Sequence, residues 1–348
     1  MPVVWLIDAY RSGERGQVRS LVDALRWPCE IKTLNYRTFV TLPHVLGQTT
    51  LRGITAESAQ ALHPPWPDLL ISCGVRNEPV CRWIREQSGG HTRYVHVGRP
   101  WARLDSFDLV ITTPQYRVPD KPNVVSNMLT LHGLSPERLA QARDEWASAF
   151  ADLPRPLVAV IAGGDSGPFT FGPKAAARLA TQASAIARQA GGALLVTTSS
   201  RTSASAADAL NAGIDVPNYF YRWRPDATDN PYVGMLAWAD RLIVTGDSIA
   251  MLSEACATGK PVQMFDLGGM RNAREVDIDF RLGASLYAFL LRWLWQPLSR
   301  DITLAHKQMR DSGRAHWLDE EPPAVISAET SPDMQRAVAA IKTLLGEV

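Results

Sequence analysis

The stretch that decides the fold is VTGDSIAMLSEACATGKPV, residues 244–262. It begins at the end of an apolar run, Leu242–Thr245, which has the length and composition of a buried strand. The pattern predicts a helix over Ser248–Thr258, because Gly259 follows as a helix terminator. A second apolar run, Val262–Phe265, comes next. Strand, helix and strand in this order predict one unit of a parallel, doubly wound α/β sheet.

The same alternation of strand and helix extends through both halves of the chain. Further strands are predicted at 3–7, 31–34, 69–72, 94–97, 109–112, 124–125, 157–161, 194–197 and 219–223, most of them within apolar runs. Continuous apolar runs, as opposed to strict alternation, are typical of parallel strands that are buried on both faces. The sequence therefore predicts two Rossmann-like doubly wound parallel-sheet domains that face each other across a cleft.

Length and a stiff linker predict where the two domains meet. At 348 residues the chain is longer than one hydrophobic core usually serves. The stretch Leu153-Pro154-Arg155-Pro156 is suited to joining domains, since proline restricts the backbone. We therefore expect an N-terminal domain over 1–152 and a second domain over 153–325. A C-terminal helix within 326–348 is then free to pack back on the N-terminal domain.

Composition excludes several classes of function. Hydrophobic residues make up 46% and charged residues 20% of the chain, and the net charge of +1 argues against nucleic acid as the main partner. The 4 cysteines are scattered without a Cys-x-x-Cys pair, which is typical of free thiols in a reducing compartment. The first residues lack a basic leader, and no apolar run reaches the about 20 residues that span a bilayer. We expect a cytoplasmic protein.

Three loops follow predicted strands in the second half, at the edge of a parallel sheet where ligands bind. The first, 162–167, contains Gly163, Gly164, Asp165 and Ser166. Its glycines allow a ligand to approach closely and its N–H groups can bind an anion, although a tight structural turn explains them equally well. It has neither the P-loop lysine nor the Gly-x-Gly-x-x-Gly spacing, so neither an ATPase nor an NAD enzyme is indicated.

The second loop carries hydroxyl groups and one guanidinium at a strand end. Its residues Ser199, Ser200, Arg201 and Thr202 are suited to clamping a diphosphate. A Ser/Thr helix cap with a solvated arginine is an equally good interpretation.

The third loop, Gly246-Asp247-Ser248, opens the helix of the deciding stretch and so places N–H donors where a phosphate would bind. Glu254 lies on the same helix, less than two turns beyond Ser248. Its carboxylate could accept hydrogen bonds from both hydroxyls of a ribose. The alternative is that Glu254 is an ordinary solvated helix residue.

This third loop and its helix resemble the donor-binding region of glycosyltransferase-B enzymes. In that family a Ser-Glu pair precedes a helix ending of small residues and a Gly-x-Pro, and the glutamate binds the ribose of the nucleotide. Ser253-Glu254 and Gly259-Lys260-Pro261 match this pattern. The resemblance implies that Ser253 and Glu254 belong to a donor-nucleotide site.

The wider pattern is similar to the bacterial relatives of the plant elongated-mitochondria fission proteins, which are described as glycosyltransferase-like or sugar-nucleotide epimerase-like. The matching segments are Gly163-Gly164, 198–202, Asn230-Pro231-Tyr232, 236–240 and 245–261. The resemblance is dense over 157–267 and thinner near the N-terminus, where it includes Asp8, Gly13 and Gly16-Gln17. Tyr10-Arg11-Ser12, on the acceptor side, departs from the glycine- and lysine-containing stretch that is usual in the plant proteins.

The loop after the first predicted strand supplies candidates for the acceptor site. Asp8 or Glu14 is suited to act as general base, and Arg11, Ser12 and Arg15 are suited to binding an anionic acceptor. The competing interpretation is an ordinary charged surface loop.

We expect no metal site, and no cofactor besides the nucleotide-sugar that serves as substrate. Asp277-Ile278-Asp279 has the pattern of a metal-binding Asp-x-Asp motif, but that motif is typical of the other glycosyltransferase fold. The histidines form no pair with zinc-binding spacing.

One further segment, Leu286–Trp295, is apolar almost all round. It is either a core helix or a surface that docks the protein on the inner membrane, where a lipid-linked acceptor would lie.

Together these features predict a glycosyltransferase that moves a sugar from a nucleotide-sugar to a cell-envelope glycan or lipid-linked acceptor without a metal ion. A sugar-nucleotide epimerase of the same fold and a non-catalytic scaffold of the fission type are the alternatives. Asp247, Ser248 and Glu254 at the ligand edge favour a working nucleotide site over a scaffold.

Overall fold

The computed structural model describes residues 1–37, 46, 48–225, 227–271, 279–284, 300–320 and 332–347. The chain forms two compact units, one of residues 1–133 with 331–348 and one of residues 134–330. Each unit contains a six-stranded sheet. The predicted fold class, an α/β protein with two Rossmann-like doubly wound parallel sheets, is confirmed.

In the first unit the strands follow the order β2-β1-β3-β4-β5-β6, and neighbouring strands are parallel. The elements are β1 Val4–Ile7, α1 Ser12–Leu25, β2 Cys29–Lys32, α2 Ala56–Gln60, β3 Leu69–Cys73, α3 Glu78–Gln87, β4 Arg93–Val97, β5 Leu109–Thr112 and β6 Val124–Ser126. Successive side chains of a strand point to opposite faces. Leu6 of β1 therefore shares a core with Leu21 of α1, while Ile7 shares the other core with Ile84 of α3. Burial on both faces explains why the strands are continuous apolar runs.

In the second unit the order is β12-β11-β10-β7-β8-β9, again with parallel neighbours. The strands are β7 Leu157–Ile161, β8 Ala193–Thr197, β9 Asn218–Tyr221, β10 Arg241–Thr245, β11 Val262–Phe265 and β12 His316–Trp317. The helices are α4 Pro136–Glu145, α5 Ala147–Phe150, α6 Pro173–Gln189, α7 Ala204–Ala212, α8 Tyr232–Trp238, α9 Ile249–Ala257 and α10 Ile302–Asp311. The strand order reverses between β7 and β10, and the carboxyl ends of two such strands are where ligands bind in sheets of this kind.

Helix α4 belongs to the second unit, whereas the sequence places it in a first domain of residues 1–152. Trp146 separates α4 from α5. The Trp146 ring lies so close to Gly234 of α8 that a side chain there would overlap it. Trp238, at the end of α8, donates from Nε1 to the carbonyl of Arg143 at 2.8 Å. These contacts tie the segment to the second unit.

The proline-containing stretch 153–156, predicted to link the domains, also lies within the second unit. The Arg155 guanidinium pairs with the Asp240 carboxylate at 2.7 Å. The N–H of Leu157 donates to the same carboxylate at 2.7 Å, so the stretch is fixed where it enters β7.

The C-terminal helix α11, Asp333–Leu344, packs on α1 of the first unit. Its Ile341 is fully buried in the core there. At its start, the buried Asp333 carboxylate accepts hydrogen bonds from the N–H groups of Met128 at 3.0 Å and Leu129 at 2.8 Å. The end of the chain is thus held on the first unit by one carboxylate and one apolar helix face.

The apolar segment Leu286–Trp295 lies outside the described residues. Among the helices that are described, none is both long enough and apolar enough to cross a membrane.

Replacing Asp333 with alanine should lower the free energy of unfolding of the first unit. Two N–H groups would lose a charged acceptor, and each such hydrogen bond is worth about 1.5–3 kcal/mol. We expect urea-induced unfolding to show a loss of about 3 kcal/mol or more. The control Asp105→Ala removes a carboxylate that is 66% exposed in the same unit, and should change stability by less than about 0.5 kcal/mol. Equal effects of the two substitutions would contradict the anchoring role of Asp333.

Candidate functional site

Hydrogen bonds join the two loops at the switch point of the second sheet. The loops follow β7 and β10, which lie side by side. The N–H of Gly163 donates to the Thr245 hydroxyl at 2.7 Å, and the N–H of Gly164 donates to the Asp247 carboxylate at 3.0 Å. The first and third loops predicted from the sequence therefore form one surface.

Asp247 also connects the second predicted loop to this surface. Its side chain is completely buried, and its Oδ2 pairs with Nη2 of Arg201 at 2.8 Å. The Arg201 side chain remains 39% exposed, and its Nη1 donates to the carbonyl of Asp165 at 3.0 Å. A guanidinium has more N–H donors than these two contacts use, so Arg201 can still donate to a ligand.

Two hydroxyls of the second loop are used to hold the first. Ser199 and Thr202 both donate to the carbonyl of Gly163, Ser199 at 2.8 Å. The N–H of Ser199 donates in turn to the Thr202 hydroxyl at 2.9 Å. Ser200 is exposed. Of the residues predicted to clamp a diphosphate here, Ser200 and Arg201 are the exposed ones, whereas Thr202 is half-buried and Ser199 is buried.

Gly163 and Gly164 have no room for side chains. A Cβ on Gly163 would overlap the Asp247 carboxylate, and a Cβ on Gly164 would overlap the backbone of Arg201. The glycine pair is therefore required for the three loops to pack on one another. This is the tight structural turn that the sequence left open as one interpretation.

Asp165 and Ser166 shape the rest of the glycine-rich loop. Asp165 accepts the N–H of Phe171 through Oδ1 at 2.9 Å, and its Oδ2 lies 3.4 Å from Nε of Arg281. Ser166 and Phe169 exchange backbone hydrogen bonds of 3.0 and 3.1 Å. These groups stabilise the loop itself.

Asp279, one residue of the Asp-x-Asp sequence, caps helix α6. Its carboxylate accepts hydrogen bonds from the N–H groups of Gly172 and Lys174, both at 3.1 Å, and of Ala175 at 2.9 Å. The other two residues of that sequence lie outside the described residues. Within the parts of the chain that are described, no group of three His, Cys, Asp or Glu side chains is arranged to hold a metal ion.

Helix α9 begins at the same edge, and no side chain of the described residues caps its N-terminus in this way. Ser248 is the N-cap residue, but its side chain makes no capping hydrogen bond. The first N–H groups of a helix have no partner within the helix, and the helix dipole makes this end positive. The N-terminus of α6 is thus capped by the Asp279 carboxylate, whereas the Ser248 side chain leaves the first N–H groups of α9 without a cap.

His306 of α10, a residue not predicted for this site, binds the same loop. Its Nε2 donates to the carbonyl of Gly246 at 2.6 Å, since a carbonyl oxygen can only accept. Burial lowers the pKa of His306 to about 4, so the ring is neutral at pH 7. The two residues are 60 positions apart in the chain, and only the fold brings them together.

Ser253 and Glu254 lie in different environments. Ser253 is completely buried, and its hydroxyl donates to the carbonyl of Ile249 at 2.8 Å, one turn earlier. Glu254 is half-buried and accepts a hydrogen bond from the Tyr232 hydroxyl of α8. Burial raises the pKa of Glu254 above its usual value, while the Tyr232 hydrogen bond and the charge of Arg138 oppose this rise. Glu254 is therefore more than a solvated helix residue.

In the first unit, two arginines of α1 bind Asp8 at the carboxyl end of β1. Oδ2 of Asp8 lies 2.9 Å from Nη2 of Arg19 and 3.2 Å from Nε of Arg15. Its Oδ1 accepts the N–H of Ala9 at 3.0 Å. Arg19 was not predicted for this site, although it lies one helical turn beyond Arg15 and so on the same face.

Glu14 is more accessible than Asp8. The Glu14 side chain is 23% exposed and that of Asp8 is 5% exposed. Glu14 faces Arg11 at 3.7 Å. The side chain of Ser12 lies outside the described part of the structure.

Asn77, a residue not predicted, closes the switch point of the first sheet between β1 and β3. Its buried amide nitrogen donates to the carbonyls of Ile7 at 3.3 Å, Asp8 at 3.2 Å and Cys73 at 3.1 Å. A neutral side chain thus holds this edge together, whereas the carboxylate of Asp247 does so in the second sheet.

Comparison with known proteins places this architecture in a family. The family model for Mitochondrial fission ELM1 matches residues 12–343. Mitochondrial fission protein ELM1 of Arabidopsis thaliana is 28% identical over 237 residues, 62% of this chain and 55% of that protein, so the chain spans about half the length of this relative. The uncharacterized protein RP120 of Rickettsia prowazekii is 24% identical over 293 residues, 75% of this chain and 82% of that protein.

A solved structure has the same fold. It is that of UDP-GlcNAc 2-epimerase from Neisseria meningitidis bound to UDP-GlcNAc, which aligns with a TM-score of 0.50 at 10% sequence identity. The alignment covers 99% of this chain and 100% of that chain. At this identity the likeness concerns the fold alone.

His306→Gln should flatten the dependence of stability on pH below neutrality. The folded protein binds the imidazole proton only near pH 4, whereas the unfolded chain binds it near 6.5, so stability falls as the pH falls through this range. This one ring accounts for about 3 kcal/mol of the fall. Glutamine keeps an N–H donor for Gly246 but does not titrate.

Urea-induced unfolding between pH 6.5 and 4 measures this effect. The control His63→Gln removes an exposed imidazole from the first unit. If wild type and His306→Gln lose the same stability over this range, the buried ring does not stay neutral in the folded protein.

Proposed function

The chain belongs to the mitochondrial fission ELM1 family, and we propose that it is a glycosyltransferase that uses a nucleotide-sugar donor. In this proposal the second unit binds the donor, the first binds a glycan or lipid-linked acceptor, and no metal ion takes part. One observation carries the proposal: the open N-terminus of α9 and the partly exposed Arg201 meet at the switch point. The meningococcal epimerase, whose structure contains UDP-GlcNAc, takes a ligand of the same class.

The diphosphate of the donor would lie between the N-terminus of α9 and Arg201. The helix dipole favours negative charge there, and a guanidinium donates to two phosphate oxygens at once. Ser200, which is exposed on the same loop, adds a hydroxyl donor. Negative charge grows on the diphosphate as the sugar leaves, so these fixed donors stabilise the transition state more than the bound substrate.

Glu254 would bind the ribose. It lies about 9 Å along the axis of α9 from Ser248, a distance that a ribose and a diphosphate span. Its Oε2 already accepts the Tyr232 hydroxyl, which makes Oε1 the atom for a ribose hydroxyl.

On the acceptor side we assign the general base to Glu14 in preference to Asp8. Both oxygens of Asp8 are already bound, one by arginines and one by a backbone N–H. Glu14 is partly exposed. Arg11, Ser12 and Arg15 would bind an anionic group of the acceptor.

The two alternatives make different demands on these residues. An epimerase needs acid and base groups on both faces of one sugar, but the carboxylates of Asp165 and Asp247 are bound within the loops. A scaffold needs neither an uncapped helix terminus nor an accessible guanidinium at the switch point. Transfer of a sugar therefore fits the groups that remain accessible.

Arg201→Lys should weaken the binding of UDP about tenfold or more while the fold stays intact. Lysine keeps a positive charge beside the buried Asp247, but it loses the fork of donors for phosphate oxygens. Each charge-assisted hydrogen bond that is lost corresponds to about 1.5–3 kcal/mol. Calorimetric titration with UDP, GDP and ADP, with and without EDTA, measures the effect.

Arg222→Lys is the matched control, because Arg222 is exposed and pairs with Asp208 in the same unit. It should bind UDP as the wild type does, and EDTA should leave wild-type binding unchanged. A wild-type protein that binds no nucleoside diphosphate at millimolar concentration would refute the proposed function and favour the scaffold.

Glu254→Gln should also weaken UDP binding about tenfold, or about 1.4 kcal/mol, whereas Tyr232→Phe should not. Glutamine keeps the size of the side chain but removes its charge, so the ribose hydroxyls lose an ionic acceptor. Phenylalanine removes the Tyr232 hydroxyl and leaves both carboxylate oxygens to the ribose. The same titration, with thermal melting as a test of folding, separates the two variants. Equal affinity of wild type and Glu254→Gln would remove Glu254 from the site.

A further inference from the structure

A small cavity lies at the edge of the first sheet where the strands end, and the arginines that the proposed function uses are not among its lining residues. It is formed where β4, β5 and β6 end, by Val97, Thr112 and Asn127, and Gln17 of α1 borders it. The carboxyl ends of parallel strands are where a doubly wound sheet binds ligands. The cavity therefore occupies the position of a ligand site within this unit.

Two side chains in the wall of the cavity are buried, and each has an oxygen atom without a partner among the described residues. Thr112 is 3% exposed and Asn127 is 1% exposed. Thr112 Oγ1 and Asn127 Oδ1 make no hydrogen bond with any described residue. The backbone beside them is regular, since the N–H of Asn127 donates to the carbonyl of Thr112 at 2.8 Å. Buried polar groups of this kind are usually paired, so a pair of them calls for an explanation.

The orientation of the Asn127 amide is fixed by its other contact. Its Nδ2 lies 3.4 Å from the carbonyl oxygen of Asp333, at the start of α11. A carbonyl oxygen only accepts, so the amide nitrogen must face it and Oδ1 is left as an acceptor. The cavity thus combines one fixed acceptor with the Thr112 hydroxyl, which both donates and accepts.

The other residues that line the cavity determine which chemical groups can enter it. None of the side chains that line this cavity is charged, and Val97, Ile111 and Leu131 make parts of its wall apolar. The enclosed space is of the size of one water molecule or one hydroxyl group. An ionic group would lose its hydration there without a partner charge. The fitting group is an uncharged hydroxyl next to an apolar ring face.

We propose that this cavity is a subsite for an uncharged sugar, one of whose hydroxyls donates to Asn127 Oδ1 and bonds with Thr112 Oγ1. Under the proposed function, on which this assignment of the sugar as acceptor rests, the subsite selects a neutral sugar residue. Arg11 and Arg15 bind an anionic group elsewhere on the same acceptor. Such an acceptor has both a neutral sugar and an anionic part.

Thr112→Val tests the subsite without disturbing a hydrogen bond of the protein. Valine has the shape of threonine, and the hydroxyl that it removes has no partner among the described residues. Thr92→Val is the matched control, because Thr92 is equally buried in the same unit but donates to the carbonyl of Pro67 at 2.6 Å. Thr112→Val should therefore melt at the wild-type temperature or above it, and Thr92→Val below it.

The binding probes are three uncharged methyl glycosides, those of glucose, galactose and N-acetylglucosamine, observed by saturation-transfer NMR at millimolar concentration. At least one should bind the wild type and Thr92→Val, and bind Thr112→Val about tenfold more weakly. The inference is overturned if none binds the wild type, if Thr112→Val binds as well as the wild type, or if Thr112→Val loses as much thermal stability as Thr92→Val. The last result would show that the hydroxyl has a structural partner, such as a resident water.

UDP titration of the same samples separates this inference from the proposed function. Binding of UDP without binding of any glycoside overturns the sugar subsite and leaves the donor site standing. Binding of a glycoside, lost in Thr112→Val, without binding of UDP supports the subsite and overturns the glycosyltransferase.

Discussion

The ligand edge of the second unit depends on one buried carboxylate, that of Asp247. Burying a charged group costs free energy unless the group is paired with an opposite charge and hydrogen-bonded. Oδ2 of Asp247 meets this demand with the N–H of Gly164 and the guanidinium of Arg201, so three loops from three strands converge on it, whereas Oδ1 makes no hydrogen bond with any described residue. The same demand explains the glycines, because the carboxylate occupies the space where a side chain of Gly163 would lie. Arg201, partly exposed, then has one face toward Asp247 and the other toward solvent.

The sequence predicts the sheets well because the inner strands are buried on both faces. A continuous apolar run such as β7 has no other stable environment in a chain of this composition, and helical patterns between the runs require parallel pairing. The domain boundary was harder to predict. Proline and arginine at 153–156 have the composition of a linker, but Arg155 is fixed by Asp240, and the contact of Trp146 with Gly234 holds the preceding helix to the second unit. Both contacts join residues more than 80 positions apart in sequence, and no local pattern encodes them.

The candidate site shows a different limit of sequence analysis. Residue type identifies hydrogen-bond donors and acceptors, but it does not tell which of them the fold already uses. Ser199 and Thr202 were predicted to bind a diphosphate, yet both hydroxyls donate to Gly163, while Arg201 keeps an exposed face. His306 supports the loop from 60 positions away and follows no motif. The positions of the three loops could be predicted because they follow from strand order. Which side chains hold the loops together, and which stay exposed, depends on contacts between the loops.

The local charge at the carboxyl ends of the strands of each sheet differs from the net charge of the whole chain. The net charge of +1 argues against a nucleic-acid partner. At the edge of the first sheet, however, Arg11 at the N-cap of α1 and two arginines within α1, at positions 15 and 19, face the carboxylates of Asp8 and Glu14. Among these groups positive charge is in excess. In the second unit Asp247 balances Arg201, and the uncapped N-terminus of α9 supplies the excess. Each excess is about one charge or less and fades within one helical turn. Charge on this scale suits one phosphate or diphosphate group, whereas a nucleic-acid backbone requires many neutralised phosphates in a row.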